Sequence, residues 1–432
     1  MSTDASRAQT YLQRLLQQHP LADLEQRLLP SEEVLSPRIA HPSRITATAI
    51  QQRWHLLPVH DQVQEQLLDP RSLEEAACYI HNIENFIGVA RMPIGLAGPL
   101  RINGIFAQGN YYVPLATTEA TLVASYTRGA QILTRAGGCT CAVVKEGVTR
   151  TPGFAFSTLL QAGKFIHWIT ENQEPIRAVA ESTTRYGKLT HLQIHLEGNH
   201  VYLIFEYFTA DAAGQNMVTI ATEAACQYIL QHTPEIPQRW YVEANMSGDK
   251  KASWSSFQSV RGRKATAEAL IPASLIEKRL HCTVAEMLHY YQFAATGGVM
   301  SGSFGIQGHL ANGLAALYIA CGQDAACVAE SAVGITRFEQ QGEDLYVSLT
   351  LPNLILGTVG GGTRLPTPQA CLQILGLVGS GQANALAEVA VGLALAGEIS
   401  LVGAMAAGEF TRAHQRLARG KGEAVAEDHH HA

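Results

Sequence analysis

The chain has 432 residues, of which 47% are apolar and 16% are charged, and its net charge at neutral pH is −6. Because domains usually hold roughly 100–200 residues, this length predicts two or three of them, and the apolar content excludes disorder over most of the chain. The negative charge gives no bulk attraction to nucleic acid or to an anionic membrane, so neither is expected as a partner.

The eight cysteines are scattered along the chain, and neither Cys139-Thr-Cys141 nor the pair Cys321 and Cys327 has a common zinc spacing. We therefore expect reduced thiols, no metal site and a cytoplasmic location. The N-terminus lacks a basic segment followed by an apolar core, so no signal peptide is expected. Residues 287–323 contain no Asp, Glu, Lys or Arg, but glycines interrupt them too often for a transmembrane helix of about 20 apolar residues.

The N-terminal part of the chain is rich in Gln and Leu and is interrupted by prolines. Leu12, Leu15 and Leu16 lie at helical spacing, which predicts a small helical region. Residues 86–110 are rich in Gly and Pro, which is typical of turns and short extended pieces.

Two segments alternate apolar and polar residues on either side of a short turn, which predicts two β-hairpins. The first spans residues 189–208 and turns at Gly198-Asn199, and the second spans residues 335–351. The residues predicted to share one face of the second hairpin are Leu345, Val347, Leu349 and Leu351.

A helical pattern follows the first hairpin, and residues 240–242 are predicted to form another strand. Strands and helices that alternate within about 90 residues predict a compact α+β subdomain over roughly 151–242. The residues predicted to share one face of the helix are Met217, Ile220, Ala224 and Tyr228.

Helical patterns return near the C-terminus. Thr367 followed by Pro368 has the arrangement of an N-cap and the first residue of a helix. Residues 384–419 are rich in Ala and Leu and are predicted to be mostly helical.

Four ionisable residues lie in or beside segments that resemble core: Glu119, Lys250, Asp324 and His414. Each has a structural alternative. Glu119 could be an acid at a helix N-terminus, Asp324 a helix cap, Lys250 one of a solvated lysine pair, and His414 a core histidine. Spacing alone leaves these alternatives open.

Two further segments have the composition of phosphate-binding turns. Gly357-Thr-Val-Gly-Gly-Gly-Thr363 follows a predicted strand and could wrap a phosphate with main-chain N–H groups. Asp211-Ala-Ala-Gly-Gln-Asn-Met217 lies between a strand and a helix. Neither segment has the Gly-x-Gly-x-x-Gly or the Walker pattern, so a Rossmann fold is poorly supported.

Taken together and in order, these segments resemble the hydroxymethylglutaryl-CoA reductase family, in the form of the eukaryotic and archaeal class. The resemblance spans roughly residues 84–415. It consists of Glu84-Asn-Phe-Ile-Gly88, Met92-Pro-Ile-Gly-Leu-Ala-Gly-Pro-Leu100, Ala116-Thr-Thr-Glu119, the turn at 211–217, Asp249-Lys-Lys251, Gly322-Gln-Asp324, the glycine segment 357–363 and His414.

The resemblance implies an α+β fold with three parts. It implies a helical N-terminal region (1–86), a large catalytic domain around a central helix (87–150 and 243–432) and an inserted small ferredoxin-like domain (151–242) that binds NADP(H). It also implies a homodimer or homotetramer with active sites at subunit interfaces.

The implied reaction is the reduction of 3-hydroxy-3-methylglutaryl-CoA to mevalonate and free CoA by NADPH, in two hydride transfers. Lys250 matches the lysine that meets negative charge on the former carbonyl oxygen. Glu119 matches the glutamate that supplies a proton. Asp324 matches the aspartate that hydrogen-bonds both, and His414 matches the histidine that protonates the departing CoA thiolate.

The resemblance also implies binding residues. Those matching cofactor contacts are Thr184, Arg185, Tyr186, Asp211, Gly214, Gln215, Asn216, Met217, Thr358, Val359, Gly360, Gly361 and Gly362. Those matching substrate contacts are Arg150, Asn245, Asp249, Lys251, His309 and Asn312, with Ser125, Arg128 and Gln131 where CoA is held. A guanidinium such as that of Arg185 suits the 2′-phosphate of NADPH.

Three departures from the family pattern affect binding. Arg261-Gly-Arg-Lys264 replaces a Gly-Arg-Gly-Lys. Glu243-Ala244-Asn245 replaces a Ser-Gly-Asn, so a serine contact to the substrate is missing. Ala213 and Gln215 replace methionines of the nucleotide turn. Two alternatives therefore stay open: a related reductase that uses NADH or another acyl-CoA, and a CoA-binding homologue without activity.

Overall fold

The structure is a computed structural model that describes residues 4–30 and 37–410. The chain divides into two compact units, Met1–Val89 and Ala90–Ala432. All eight cysteines lie in the described part, and none of them forms a disulfide there.

The first unit is helical, as the sequence predicts. Leu12, Leu15 and Leu16 lie on one helix, α1, which buries none of its residues. A small core around Ile50, Trp54 and Phe86 forms further along the unit. The helices are α1 (Ala5–Gln18), α2 (Leu21–Leu28), α3 (Ala47–Trp54), α4 (Asp61–Leu67) and α5 (Pro70–Glu74), followed by a 3₁₀ turn at Ala76–Tyr79.

The second unit is a mixed α/β structure whose described residues form one sheet of ten strands. The strands are β1 (Ile94–Gly104), β2 (Gln108–Ala116), β3 (Cys139–Arg150), β4 (Gly153–Ala155), β5 (Lys188–Glu197), β6 (His200–Phe208), β7 (Arg239–Tyr241), β8 (Gly262–Ile271), β9 (Ile335–Gln341) and β10 (Asp344–Leu354). The main order is β7-β4-β6-β3-β8-β10-β9. Beside this order, β2 pairs with β1, and β5 pairs with β6. The start of β3 pairs with β1 in parallel, and all the other pairs of neighbouring strands are antiparallel.

The helices of this unit are α6 (Leu122–Arg135), α7 (Leu159–Glu171), α8 (Gln173–Ser182), α9 (Gln215–His232), α10 (Ala273–Leu280), α11 (Val284–Ser301), α12 (Leu310–Ala320), α13 (Val328–Ser331), α14 (Pro366–Leu375) and α15 (Ala383–Ala406). Three 3₁₀ turns lie at Trp254–Phe257, Ala325–Cys327 and Gly361–Arg364. α11 begins with a capping box between Thr283 and Glu286.

Both predicted hairpins are confirmed, as β5–β6 and β9–β10. The predicted face of the second is fully buried at Leu345, Val347, Leu349 and Leu351. The prediction for residues 86–110 is wrong about the length of the extended pieces. Residues 86–93 form no helix or strand, but most of a long hairpin, β1–β2, follows them. A register shift between Ala97 and Leu100 accommodates the glycine and proline there.

Two helices differ in detail from the predictions. The buried face of α9 is centred on Val218, Ala221 and Ala225, so that Ile220 is 60% exposed; the sheet therefore packs about one residue away from the predicted stripe. α14 begins at Pro366, two residues before Pro368.

The predicted C-terminal helix ends early. α15 stops at Ala406, where the chain turns through Gly408 at a φ of +66°. The rest of the predicted stretch, residues 411–419, lies outside the described residues.

α15 is the core helix of the second unit. By length and composition it is the one helix in the described ranges that could cross a membrane, but 83% of its apolar window is buried inside the protein. It packs closely on α6 at Gly129, where an added Cβ would collide with the carbonyl oxygen of Ala396. Its apolar surface is therefore used within the fold.

A separate apolar cluster lies between β5–β6 and helices α7–α9 and includes Phe154, Phe165 and Phe205. It falls within the stretch that the sequence assigns to an inserted small domain. The domain boundaries themselves stay a prediction.

Candidate functional site

The structure brings two of the four candidate catalytic residues together. Lys250 lies on the loop between β7 and β8, and its Nζ is 2.9 Å from Oδ2 of Asp324. Asp324 precedes the 3₁₀ turn Ala325–Cys327 and accepts a hydrogen bond from Ala326 N at 3.0 Å. Asp324 therefore caps this turn, as one of the two interpretations of the sequence predicted, and it contacts the lysine at the same time. Both side chains are a little under half exposed.

The pair stabilises the charged form of each partner. The hydrogen bond to Asp324 raises the pKa of the Lys250 ammonium. Burial pushes the pKa of the Asp324 carboxyl upward, but the hydrogen bonds from Lys250 and Ala326 outweigh burial, so the pKa lies below its ordinary value. At neutral pH this corner of the molecule presents a fixed ammonium group.

A network of buried charges lies behind the lysine loop. Arg261 is 1% exposed and lies 2.7 Å from both Asp249 and Glu330. Arg150 lies 3.2 Å from Asp249 and 3.3 Å from Glu243. Every carboxylate of the network thus has a guanidinium partner, as buried charges require.

Other predicted substrate contacts lie on this same loop. Lys251 Nζ donates to the carbonyl oxygen of Asp249 at 2.9 Å, and Asn245 N donates to Glu243 Oε1 at 2.8 Å. Asn245 has a φ of +65° and Lys250 a φ of +55°. The loop is therefore held in a conformation that non-glycine residues rarely adopt.

A cavity of about 310 Å³ opens beside Asp324. The glycine segment and the Asp211–Met217 turn form its walls, and the described residues place no side-chain cap on the N-terminus of α9 at Gly214. The predicted cofactor residues that line the cavity are Gly214, Gln215, Asn216, Met217, Val359, Gly360, Gly361 and Gly362.

Two predicted cofactor residues support these walls and do not line the cavity. Thr358 is buried and donates its hydroxyl to the carbonyl oxygen of Gly379 at 2.6 Å. The Asp211 carboxylate accepts hydrogen bonds from Gly381 N and Ala383 N at the start of α15. Thr358 N donates to the carbonyl oxygen of Asp211 at 2.9 Å, so main-chain contact joins the two walls.

The predicted 2′-phosphate segment lies next to the same turn. The hydroxyl of Thr184 donates to the sulfur of Met217 at 3.2 Å. The neighbouring side chains Arg185 and Tyr186 are exposed. An exposed cationic residue thus follows directly after the threonine that contacts the start of α9.

A second cavity, of about 400 Å³, is lined by Glu119 and by four of the nine predicted CoA and acyl contacts, namely Ser125, Arg128, His309 and Asn312. Glu119 Oε2 accepts a hydrogen bond from Asn312 Nδ2 at 2.9 Å. Arg128 donates to the hydroxyl and the carbonyl oxygen of Ser400, at 3.0 and 2.7 Å, and Ser125 Oγ is 2.9 Å from that hydroxyl. Gln131 lies outside this cavity, in an adjoining groove.

His309 forms one wall of this second cavity. It is 8% exposed, its ring stacks on Tyr126 at 4.7 Å, and its Nε2 has no partner within the described residues. Burial lowers the pKa of the His309 imidazole, although the carboxylate of Glu119 opposes this. A neutral imidazole with one free nitrogen can donate to or accept from a bound ligand.

The two groups of candidate residues lie at opposite ends of α12. Glu119 contacts Asn312 in its first turn, whereas Asp324 follows its last residue. At about 1.5 Å per residue the ends of this helix are about 16 Å apart. In residues 4–30 and 37–410, no hydrogen bond or ion pair joins Glu119 to Lys250 or Asp324. His414 lies outside the described residues.

Sequence reasoning missed several buried carboxylates. Glu330 is fully buried behind the lysine loop. Glu388 and Glu398 lie on the apolar helix α15, and Glu398 accepts from the main-chain N–H groups of His309 and Gly308. A carboxylate within an otherwise apolar helical segment is the sequence feature that could have revealed them, because such a group is almost never buried without a partner.

The sequence analysis also assigned no role to Gln323. Its amide donates to the carbonyl oxygen of Gly357 at 3.0 Å and accepts from Gly357 N at 2.7 Å. It therefore ties the segment that carries Asp324 to the glycine wall of the first cavity.

A helix N-terminus and a glycine segment that face one cavity, beside a lysine–aspartate pair, can bind a phosphate group through main-chain N–H groups. The family model described as hydroxymethylglutaryl-coenzyme A reductase matches residues 49–419. This chain belongs to that family, which confirms the resemblance found in the sequence.

Similar proteins agree with this assignment. The 3-hydroxy-3-methylglutaryl-coenzyme A reductase of Aeropyrum pernix is 43% identical over 79% of this chain and 83% of its own length. That of Methanocaldococcus jannaschii is 42% identical over 81% of this chain and 87% of its own.

A solved structure has a similar fold. It is the class II 3-hydroxy-3-methylglutaryl-CoA reductase of Streptococcus pneumoniae bound to NADPH, with a TM-score of 0.62 and 19% identity. The match covers 82% of this chain and 96% of that one.

Proposed function

We propose that this chain reduces 3-hydroxy-3-methylglutaryl-CoA to mevalonate and CoA with NADPH. The observation that carries the proposal is the Lys250–Asp324 ion pair, at 2.9 Å, beside the glycine-walled cavity. Family membership supports the same reaction. A cytoplasmic location is part of the proposal.

Lys250 acts as the preorganised cation. A thioester carbonyl gains negative charge on its oxygen when hydride adds to carbon, and an ammonium group held in place lowers the energy of that state. Asp324 keeps Lys250 charged and oriented through their hydrogen bond. Glu119, oriented by Asn312, supplies the proton, and His414 protonates the thiolate that leaves.

The residues around the first cavity fit a dinucleotide. The uncapped N-terminus of α9 offers main-chain N–H groups to a pyrophosphate, and the glycines at 360–362 leave room for close approach. Arg185 and Thr184 would meet the 2′-phosphate, and Tyr186 lies beside them. When bound, each NADPH would supply one hydride, so the full reduction consumes two NADPH molecules in succession. This assignment makes residues 151–242 the nucleotide-binding domain.

The second cavity fits the acyl-CoA. Arg128 and Ser125 hold CoA, with Gln131 in the adjoining groove, while His309 and Asn312 contact the acyl group together with Arg150, Asn245, Asp249 and Lys251. Because Glu119 and Lys250 belong to groups at opposite ends of α12, one chain alone does not join them. The active form is therefore a homodimer or homotetramer in which two copies complete each site.

Absorbance of the reduced nicotinamide in the presence of 3-hydroxy-3-methylglutaryl-CoA tests the proposal. We expect substrate-dependent oxidation of NADPH at a rate well above that of NADH. Oxidation of NADH alone would indicate a related reductase. Binding of CoA without oxidation of either cofactor would indicate a homologue without activity.

A further inference from the structure

Two residues of the short segment 324–330 contact Lys250, one at the tip of its side chain and the other at its main chain. The Asp324 carboxylate meets the ammonium group at 2.9 Å. Six residues further along the chain, Oε1 of Glu330 accepts the main-chain N–H of Lys250 at 3.1 Å. The structure therefore fixes both the main chain and the side-chain tip of the lysine from residues 324–330.

The main chain of Lys250 needs such support. Its φ of +55° lies in the left-handed region, where a side chain with a Cβ is strained. Glu330 is fully buried, so its acceptor is protected from water and its position is fixed. A hydrogen bond to a buried carboxylate is stronger than one to a neutral acceptor.

Arg261 holds Glu330 in turn. Its Nε lies 2.7 Å from Glu330 Oε2, and its Nη2 lies 2.7 Å from Oδ1 of Asp249, the residue before Lys250. Its Nη1 donates to the carbonyl oxygen of Thr149 at 2.6 Å, which anchors the guanidinium to β3. The Arg261–Glu330 ion pair thus connects the lysine loop to the central sheet.

We propose that Glu330, held by Arg261, is a positioning residue that fixes the Lys250 main chain so that the ammonium meets Asp324 and the reacting oxygen. The inference rests on the catalytic role proposed for Lys250. It assigns a task to a buried ion pair that lines neither of the two cavities.

Glu330→Met tests the proposal, because methionine fills the volume but accepts no hydrogen bond. We expect turnover to fall about 10²-fold, the usual result of a misplaced catalytic group, with little change in the KM of either substrate. Glu330→Gln keeps an acceptor for the Lys250 N–H and should recover most of that loss. Hydrogen exchange at the Lys250 amide should be fast in Glu330→Met and slow in Glu330→Gln.

Two further variants separate positioning from stability. Glu330→Met with Arg261→Met replaces the ion pair by apolar side chains, so the melting temperature should recover while turnover stays low. Glu388→Gln is the matched control, since Glu388 is equally buried but binds the β1–β2 turn at Phe106 and Ala107. It should change turnover less than twofold.

The double variant Lys250→Ala/Glu330→Met gives the sharpest outcome. If Glu330 acts through Lys250, removing Glu330 costs no further turnover once the lysine is gone. The proposal would be overturned if the losses of turnover in the two single variants multiplied in the double variant. It would also be overturned if Glu330→Met kept normal turnover and a protected Lys250 amide. Normal turnover in Lys250→Ala would instead refute the catalytic role of the lysine, whereas the hydrogen-exchange result would still report on Glu330.

Discussion

Lys250 donates a hydrogen bond from Nζ to the carboxylate of Asp324 across 2.9 Å, and Asp324 lines a cavity with glycine walls. The neighbouring Lys251 turns its Nζ to the carbonyl oxygen of Asp249. Two adjacent lysines therefore have different environments, and only the first shares a contact with a candidate catalytic acid.

This difference predicts different effects for two substitutions. Lys250→Ala should lower turnover by roughly 10²–10³, as expected when one preorganised partner of a developing oxyanion is lost. Lys251→Ala should act mainly on the KM of the acyl-CoA. Steady-state kinetics of both variants provide the measurement, and the reverse pattern would show that the pair is misassigned.

Glu243 competes for a guanidinium that the acyl carboxylate is expected to bind. Its Oε2 lies 3.3 Å from Nη1 of Arg150. Glu243→Ser removes this partner, so the KM for 3-hydroxy-3-methylglutaryl-CoA should fall by up to about fivefold, the equivalent of one partly exposed ion pair. Glu243→Gln serves as the isosteric control. A rise in KM in Glu243→Ser would mean that Glu243 orients Arg150 for binding.

Arg185 should determine the choice of cofactor. Arg185→Gln should raise the KM for NADPH roughly tenfold, because a hydrogen bond to a charged phosphate is lost, and leave the KM for NADH nearly unchanged. Lys188→Gln is the matched control, since Lys188 is already paired with Glu181 at 2.7 Å. Equal changes for both cofactors in Arg185→Gln would exclude contact with the 2′-phosphate.

Glu398 should make stability depend on pH. Burial raises the pKa of its carboxyl from 4.5 to about 7. The folded state therefore holds this proton more tightly than the unfolded state. The stability that this proton contributes is complete below about pH 4.5 and is lost as the pH rises to about 7, by at most about 3 kcal/mol.

Glu398→Gln removes this titration, so the melting temperature should change less between pH 4.5 and 7 than in the unsubstituted chain. Thermal denaturation across that range is the measurement. Parallel curves for the two proteins would show that Glu398 does not titrate there.

His414 should act in one half of the reaction. Because only the thioester step releases a thiolate, His414→Gln should strongly reduce turnover of 3-hydroxy-3-methylglutaryl-CoA and largely spare reduction of free mevaldehyde by NADPH. A core histidine would behave differently, with both activities and the melting temperature falling together. Assays of the two substrates on one variant distinguish these outcomes.

The sequence by itself determined the elements and residues that depend on local pattern. Alternation predicted the hairpins β5–β6 and β9–β10, and the motifs around Lys250, Asp324 and Glu119 predicted the candidate catalytic residues and the family. These features depend on residue type and spacing along a short stretch of chain, which a single sequence records directly.

Only the tertiary structure decided which charges meet. Arg261 and Glu330 pair from distant segments, Glu398 lies beneath His309, and Glu243 lies against Arg150. A charged side chain is predicted to be solvated until its partner is known, because burial is tolerated only when an opposite charge or a hydrogen-bond donor compensates for lost hydration. The partners come from remote strands and helices, so the packing of the sheet around α15 creates the site.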